Sequence, residues 1–502
     1  MPRRDCTVTS TWPAGSAAAT TAATPRDDLL READTGDGTF VQAHGPFHRY
    51  RRTVTTAADG TVAETITYRL DIPVFGALFA LPVRRAVRHR RAPGSPSPWW
   101  APPDQLNERQ VRALALLALA AASAAFANTL YTQTANAAAT AFGISDRGLG
   151  QGGAIVRVGV LISLPFAFLA DRTGRRRMIV LLAWLAPIGC AIGALSPSFW
   201  FLTASQTVAR PLGIALGLLA GVAAAEEMPR NSRAYALSVL ALAAGLGAGL
   251  AVSALPLRDT GPNGWRLAYA LALLLLPIGL HLGRSLDETR RFQTVHRIQP
   301  PMDRRRLALI VGVAITANLF VAPASFFQNA YLEDIRGYSG SATTLFTLAT
   351  GTPASLGLVL GGRLADMMGR RRLIMVCTPL STLFLVLAFM VSGPWMWGCA
   401  LAGSITASLA YPAYAVYRAE LFPTGNRGGA NGLITAAALL SGSLGILAVG
   451  VWRDRGASFG TLMAVMAIGQ LVAAGIAVAG YPETAHLALE EINPGDPVIA
   501  EE

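Results

Sequence analysis

AFLADRTGRRR at 167–177 and GRLADMMGRRR at 362–372 are the two stretches that decide the fold. Each closes an apolar run, and each carries an Asp, a Gly and three Arg in the same order. Asp171 and Asp366 are 195 positions apart. The offset recurs. EEMPRNSR (226–233) answers ELFPTGNR (420–427), both E-x-x-P-x-x-x-R, with Glu226 and Glu420 194 positions apart. DETRRF (287–292) answers PETAHL (482–487), and Glu288 to Glu483 is again 195. Three matched landmarks at one spacing mean that the second half of the chain is a parallel copy of the first.

Around these landmarks the chain is unusually apolar. Of 502 residues, 52% are hydrophobic and 14% charged, against about 25% charged in soluble domains. That excludes an ordinary soluble enzyme, a disordered chain or a coiled coil. Apolar segments lie near 109–132, 149–170, 178–196, 199–225, 234–256 and 266–284, and again near 307–330, 341–364, 373–392, 395–417, 429–450 and 458–480. Each has the roughly 20 residues that cross about 30 Å of hydrocarbon. The expected fold is an all-α membrane protein: twelve transmembrane helices in two six-helix repeats, 108–284 and 307–482, joined by a cytoplasmic loop at 285–306.

Net charge is +12, and all 42 basic residues are Arg. A basic chain suits nucleic acid, but here the Arg clusters lie between apolar runs, so no nucleic-acid partner is expected. RTGRRR (172–177), GRRR (369–372) and the seven Arg of 284–306 fall in alternate loops. The positive-inside rule puts those loops and both termini in the cytoplasm. The Lys-free, Gly- and Ala-rich composition is that of a GC-rich bacterial coding sequence, which points to a bacterial cytoplasmic membrane. Cys6, Cys190, Cys377 and Cys399 have no metal-ligand or disulfide spacing. No metal, cofactor or catalytic residue is read, and neither HExxH nor a nucleophile–base motif occurs. The N-terminus lacks the apolar core of a signal peptide.

Residues 1–40 have no periodicity and read as a disordered tail. Strand-like runs 46–57 and 61–70 flank Asp59-Gly60, a hairpin signal. VFGALFALPVRRAVRHRR (73–90) reads as a basic amphipathic helix on the anionic leaflet or packed on the hairpin. With the linker PGSPSPWWAPPD it completes a cytoplasmic extension, 41–107. Residues 483–502 read as an acidic cytoplasmic tail.

The doubled G-x-L-A-D-x-x-G-R-R signature, the E-x-x-P-x-x-x-R copies and the ETRR and PET endings resemble those of the major facilitator superfamily over roughly 108–490. They are most similar to the sugar porters and metabolite:proton symporters. The first signature departs from the pattern with Ala167 in place of Gly. The resemblance implies alternating access of two six-helix bundles around a central site, with no enzymatic chemistry. The function expected is transport of a small polar solute, a sugar or an anionic metabolite. The rival within the same fold is a drug efflux transporter; a membrane enzyme or a sensor is the rival from another class.

A cytoplasmic gate is expected from Asp171, Arg175, Glu226, Arg233 and Glu288 in the first half and Asp366, Arg370, Glu420, Arg427 and Glu483 in the second. Carboxylates at helix C-termini oppose the dipole, and Arg from neighbouring loops would offset that cost by bidentate pairing. Inside the spans, Arg157 and Arg210 stand out, because an ionisable residue there costs about 2.5–3.5 kcal/mol. Their repeat equivalents are uncharged. Either would hold an anionic substrate group. Polar candidates on spans 1, 7 and 10 are Asn128, Gln133, Asn318, Gln328, Asn329, Tyr411 and Tyr414. Tyr131 and Tyr417 read instead as aromatic anchors at the membrane interface. No carboxylate falls mid-span, so a co-transported proton would rely on mouth residues such as Asp146, Asp171, Glu333 or Asp334. The remaining partners expected are a small-molecule substrate and membrane lipid, around a monomer.

Overall fold

The computed structural model describes residues 5–13, 15–91, 101–102, 104–229, 232–288, 303–422 and 427–483. The cytoplasmic loop and the acidic tail expected at 285–306 and 483–502 lie largely outside these.

The first 91 residues are more ordered than their sequence suggests. Strands β1 (Cys6–Trp12), β2 (Arg31–Asp34), β3 (Thr39–His44), β4 (Phe47–Thr56) and β5 (Val62–Leu70) form one antiparallel sheet, order β1-β5-β4-β3-β2. The short helix α1 (Ala17–Ala22) and α2 (Gly76–Arg88) complete it. The expectation of a disordered 1–40 is therefore wrong. What orders this segment is charge, which a search for apolar periodicity does not see. The side chains of Glu32 and Arg52 are 0% exposed. Arg52 donates to Glu32 through Nε (2.9 Å) and Nη2 (2.6 Å), to Glu64 (3.2 Å) and to the carbonyls of Ala22 and Thr24. Glu32 also accepts from the Tyr50 hydroxyl at 2.6 Å. Arg26 grips Asp28 with two nitrogens and donates to the last carbonyls of α2, Ala86 and Val87, where a cation complements the helix dipole. Burial pushes the Asp28 carboxyl up, but the Arg26 pair and the Arg91 N–H outweigh it and hold it below the usual range. One face of α2 (Val83, Val87) lies in the domain's apolar core with Phe47 and Ile66.

Among the described residues nine helices are long and apolar enough to cross a membrane. They are span 1 (Glu108–Ala141), span 3 (Arg175–Ile192), span 4 (Phe199–Glu227), span 5 (Arg233–Ser253), span 6 (Gly264–Ser285), span 7 (Arg304–Phe326), span 9 (Arg370–Ala388), span 11 (Arg427–Asp454) and span 12 (Phe459–Gly480). Span 10 is the helix Gly393–Glu420. The remaining two are broken. Span 2 runs Asp146–Gly159, a 3₁₀ turn Val160–Ile162, then Ser163–Thr173; span 8 runs Gly340–Gly351, then Ala354–Met368. Pro165 and Pro353 each remove a helical N–H near the break. Twelve spans result.

The packing is duplicated too. Spans 1–5, 3–4, 2–4 and 3–6 touch in the first bundle, and 7–11, 9–10, 8–10 and 9–12 in the second. The bundles meet along span 2 against span 11 and span 5 against span 8. Glycine permits these approaches. A Cβ on Gly150 would stand 3.0 Å from the Ile446 carbonyl and 3.1 Å from the Gly450 Cα. The Gly-rich run of span 5 serves the same end: Gly247 rests directly on the Ala122 carbonyl of span 1.

Candidate functional site

Midway along the seam, Arg157 of span 2 donates from Nη2 to Asn318 Oδ1 of span 7 at 2.9 Å. Its guanidinium lies over Gly442 of span 11, where a Cβ would come within 2.5 Å of Nε. Arg210 of span 4 is close enough to repel it. The phenols of Tyr131 and Tyr269 lie near Arg210. Among the described residues Arg210 makes no hydrogen bond, and Arg157 makes only the one to Asn318. Among the described residues no carboxylate pairs with either. Asn128, one turn from Arg210 across the span 1–span 4 contact at Gly213, has a buried Oδ1 without a partner among the described residues. Two cations and an open amide thus converge where the bundles face each other.

The other substrate candidates divide. Asn329 Nδ2 donates to the Gln133 carbonyl and side chain, at 2.8 and 2.9 Å, tying span 7 to span 1. Gln328 reaches Thr347 of span 8 at 3.4 Å. These amides are spent on closing the seam. Tyr414 bonds Thr378 within the second bundle, and Tyr411 is largely exposed. Tyr131 and Tyr417 are interior residues, not interface anchors: Tyr131 stacks on Phe326, and Tyr417 packs at a tilt against Tyr481.

The end of the molecule opposite the Arg-rich loops is shut. Arg258, after span 5, pairs with Glu333, after span 7. Asn136 of span 1 donates to Glu333 at 2.6 Å and to Asp334 at 3.3 Å. Arg453 pairs with Asp146 at 3.5 Å, and Asp259 accepts from the Gly340 and Ser341 N–H groups. Tyr331–Ile335, which carries both acids, is a π-turn, a form common at functional sites. Sequence reasoning named Glu333, Asp334 and Asp146 only as mouth acids; their Arg partners lie on distant loops and leave no local signal.

At the Arg-rich end, the side chains of Asp171, Arg233, Asp366, Glu420 and Arg427 lie outside the described ones. Arg175 pairs with Glu226 at 3.4 Å. Glu288 accepts from the Arg176 N–H at 3.1 Å, and Glu483 from the Arg370 and Arg371 N–H groups at 3.1 and 3.2 Å. Each therefore caps the N-terminus of span 3 or span 9 in its own bundle. Each acid that ends one helix against its dipole begins another in favour with it. The signature glycines allow this. Gly174 and Gly369, at φ +104° and +89°, sit against those carboxylates, and a Cβ would be 2.5 or 3.0 Å from an oxygen.

The sequence pattern of the Major Facilitator Superfamily matches residues 113–446 and 307–491. The chain belongs to the Major Facilitator Superfamily. This superfamily chain is 25% identical over 252 residues to the shikimate transporter of Escherichia coli (strain K12), covering 43% of this chain and 56% of that one. It is 26% identical over 253 residues to a putative proline/betaine transporter of Staphylococcus aureus (strain COL), covering 45% and 54%. The chain thus spans about half the length of these curated relatives. The fold is shared with the xylose transporter XylE from E. coli in an inward open conformation, with TM-score 0.62 and 16% identity, covering 76% of this chain and 98% of that one.

Proposed function

We propose that this superfamily member moves a small polar solute bearing a carboxylate or similar anionic group, by alternating access across a bacterial cytoplasmic membrane. The observation that carries this is the uncompensated pair Arg157–Arg210 at the seam. Two guanidiniums without a carboxylate among the described residues, inside a low-dielectric bundle, repel each other, and the Nε of each lacks an acceptor. An anion supplies both charge and acceptors, and the guanidinium fork fits a carboxylate with two parallel bonds. Asn128 and Asn318 orient the rest of the solute. Shikimate, proline and betaine, for which the relatives are named, all carry a carboxylate.

The outer end is the shut one, with the Arg-rich loops and both termini in the cytoplasm. The functional unit is a monomer surrounded by lipid. A proton is the candidate co-substrate, since Glu333 and Asp334 lie at a seam that must part in every cycle.

The test is thermal unfolding of the purified protein in detergent against carboxylates, phosphates, neutral sugars and cationic drugs. A ligand at 100 times its Kd adds about 2.7 kcal/mol if it binds the native state alone. Stabilisation by carboxylates that vanishes in Arg210→Ala is expected. Stabilisation by cationic drugs alone would overturn the assignment.

A further inference from the structure

A second large space lies away from the seam, where the N-terminal domain meets the membrane bundle. The domain is seated by His48 on Glu108 (2.5 Å), His44 on the Gln105 carbonyl (2.9 Å) and Gln105 on Asp27 (3.0 Å). Beside these contacts is a cavity of about 600 Å³, within the size range of small-ligand sites. One wall is the domain: Leu70, Phe79 and Val83. The other is spans 1 and 5: Leu114, Val239 and Leu246.

Three observations say what fills it. First, the membrane wall on span 5 runs from Tyr235 to Leu246, about 16 Å at 1.5 Å per residue. That is half of the ~30 Å hydrocarbon layer, the depth of one leaflet. Second, Leu242, Leu246 and Leu250 form one exposed stripe on span 5, so the cavity is continuous with the lipid-facing surface. Third, the domain itself presents apolar side chains outward. Val74, Leu78 and Leu81 are 74%, 67% and 77% exposed, with Arg85 and Arg88 following on the same face of α2. Val74 holds φ +61°, closed by a Phe75 N–H to Pro73 carbonyl bond. A β-branched residue adopts that tight turn only under strain. Apolar residues ahead of basic ones along one face fit the acyl and headgroup layers in turn.

We infer that this cavity is a phospholipid site: one acyl chain of the cytoplasmic leaflet lies between the N-terminal domain and spans 1 and 5. The lipid is then part of the domain's seat, alongside the polar contacts of His44, His48 and Gln105. The assignment does not depend on which solute the seam binds.

The experiment places the full chain in vesicles of phosphatidylethanolamine and phosphatidylglycerol. These contain a trace phospholipid with a photoreactive diazirine midway along one acyl chain. After irradiation, adducts are mapped by peptide mass spectrometry. Labelling at Leu70, Phe79 and Val83, which line the cavity, is expected alongside spans 1 and 5; bulk lipid reaches only the outward Val74, Leu78 and Leu81. Leu246→Trp fills the cavity from the membrane side and Leu78→Trp from the domain side. At least one, folded by size-exclusion profile, is expected to cut labelling of Leu70, Phe79 and Val83 tenfold while span 1 labelling persists. Adducts confined to the spans, or undiminished in a folded variant, would overturn the site. So would a 70–83 segment that cross-links to a second copy of the chain instead of to lipid.

Discussion

Arg258→Ala strands the outer acids. In the closed seam the Arg258 and Glu333 side chains are 14% and 7% exposed, so solvent screens their interaction little. Removing one partner of such a pair costs about 3–5 kcal/mol. Here protonation sets a ceiling. The stranded carboxyl escapes its penalty by taking a proton, which from an ordinary value near 4.5 costs about 3.4 kcal/mol at pH 7, at 1.36 kcal/mol per unit. Burial already pushes Glu333 up, against the pull of Arg258 and Asn136, which lowers that ceiling. The variant therefore loses about 2–3 kcal/mol of outer closure at pH 7, a thirty- to hundredfold shift toward outward-open. At pH 5.5 the ceiling falls to about 1.4 kcal/mol, or tenfold. Pulsed electron-paramagnetic distances between labels at exposed Asn263 and Ile335, on a cysteine-free background, read the populations. An unchanged distribution at pH 7, or a shift equal at pH 7 and 5.5, would refute the reasoning.

Four other outcomes are expected. Arg210→Ala should raise the Kd of a stabilising carboxylate at least tenfold, read by thermal shift; an unaltered Kd would make Arg210 a structural residue. Glu32→Ala should cost the N-terminal domain about 3–5 kcal/mol by removing the two-bond carboxylate partner of the buried Arg52 and leaving only Glu64, seen as rapid proteolysis within 1–91. Asp28, held below its unfolded value, contributes stability that is fully present above about pH 4 and lost as pH falls through its folded pKa. Chemical denaturation of the domain at pH 5 and pH 3 should show that loss, less in Asp28→Asn. Gly247→Ala should destabilise the first bundle by about 1–3 kcal/mol, because a methyl group there overlaps the Ala122 carbonyl; an unchanged melting temperature would count against that contact.

The membrane half was legible because lipid imposes simple rules. A span needs about 20 apolar residues, and loops carry Arg on one side. Duplication then supplied an internal check at Asp171/Asp366 and Glu288/Glu483. The N-terminal domain was less legible. Its order rests on Glu32, Arg52 and Arg26, whose partners lie up to 61 positions away, and charged residues in a Thr- and Ala-rich tail look like solvated chain. At the site, Arg157 and Arg210 stood out by cost alone. Gln133 and Asn329 could not be told from cavity amides, since what separates them is the conformation that joins them across the seam.

Glu288 and Glu483 carry a consequence for assembly. Each pins the end of its bundle's last helix onto the start of the third, so each half of the chain is buckled shut by its own residues. The covalent link between halves then serves mainly to keep equal numbers of each in one membrane. A chain cut between 289 and 302 and expressed as two polypeptides should reassemble into a working pair, and the buckle acids should matter more in the two-piece protein than in the intact one.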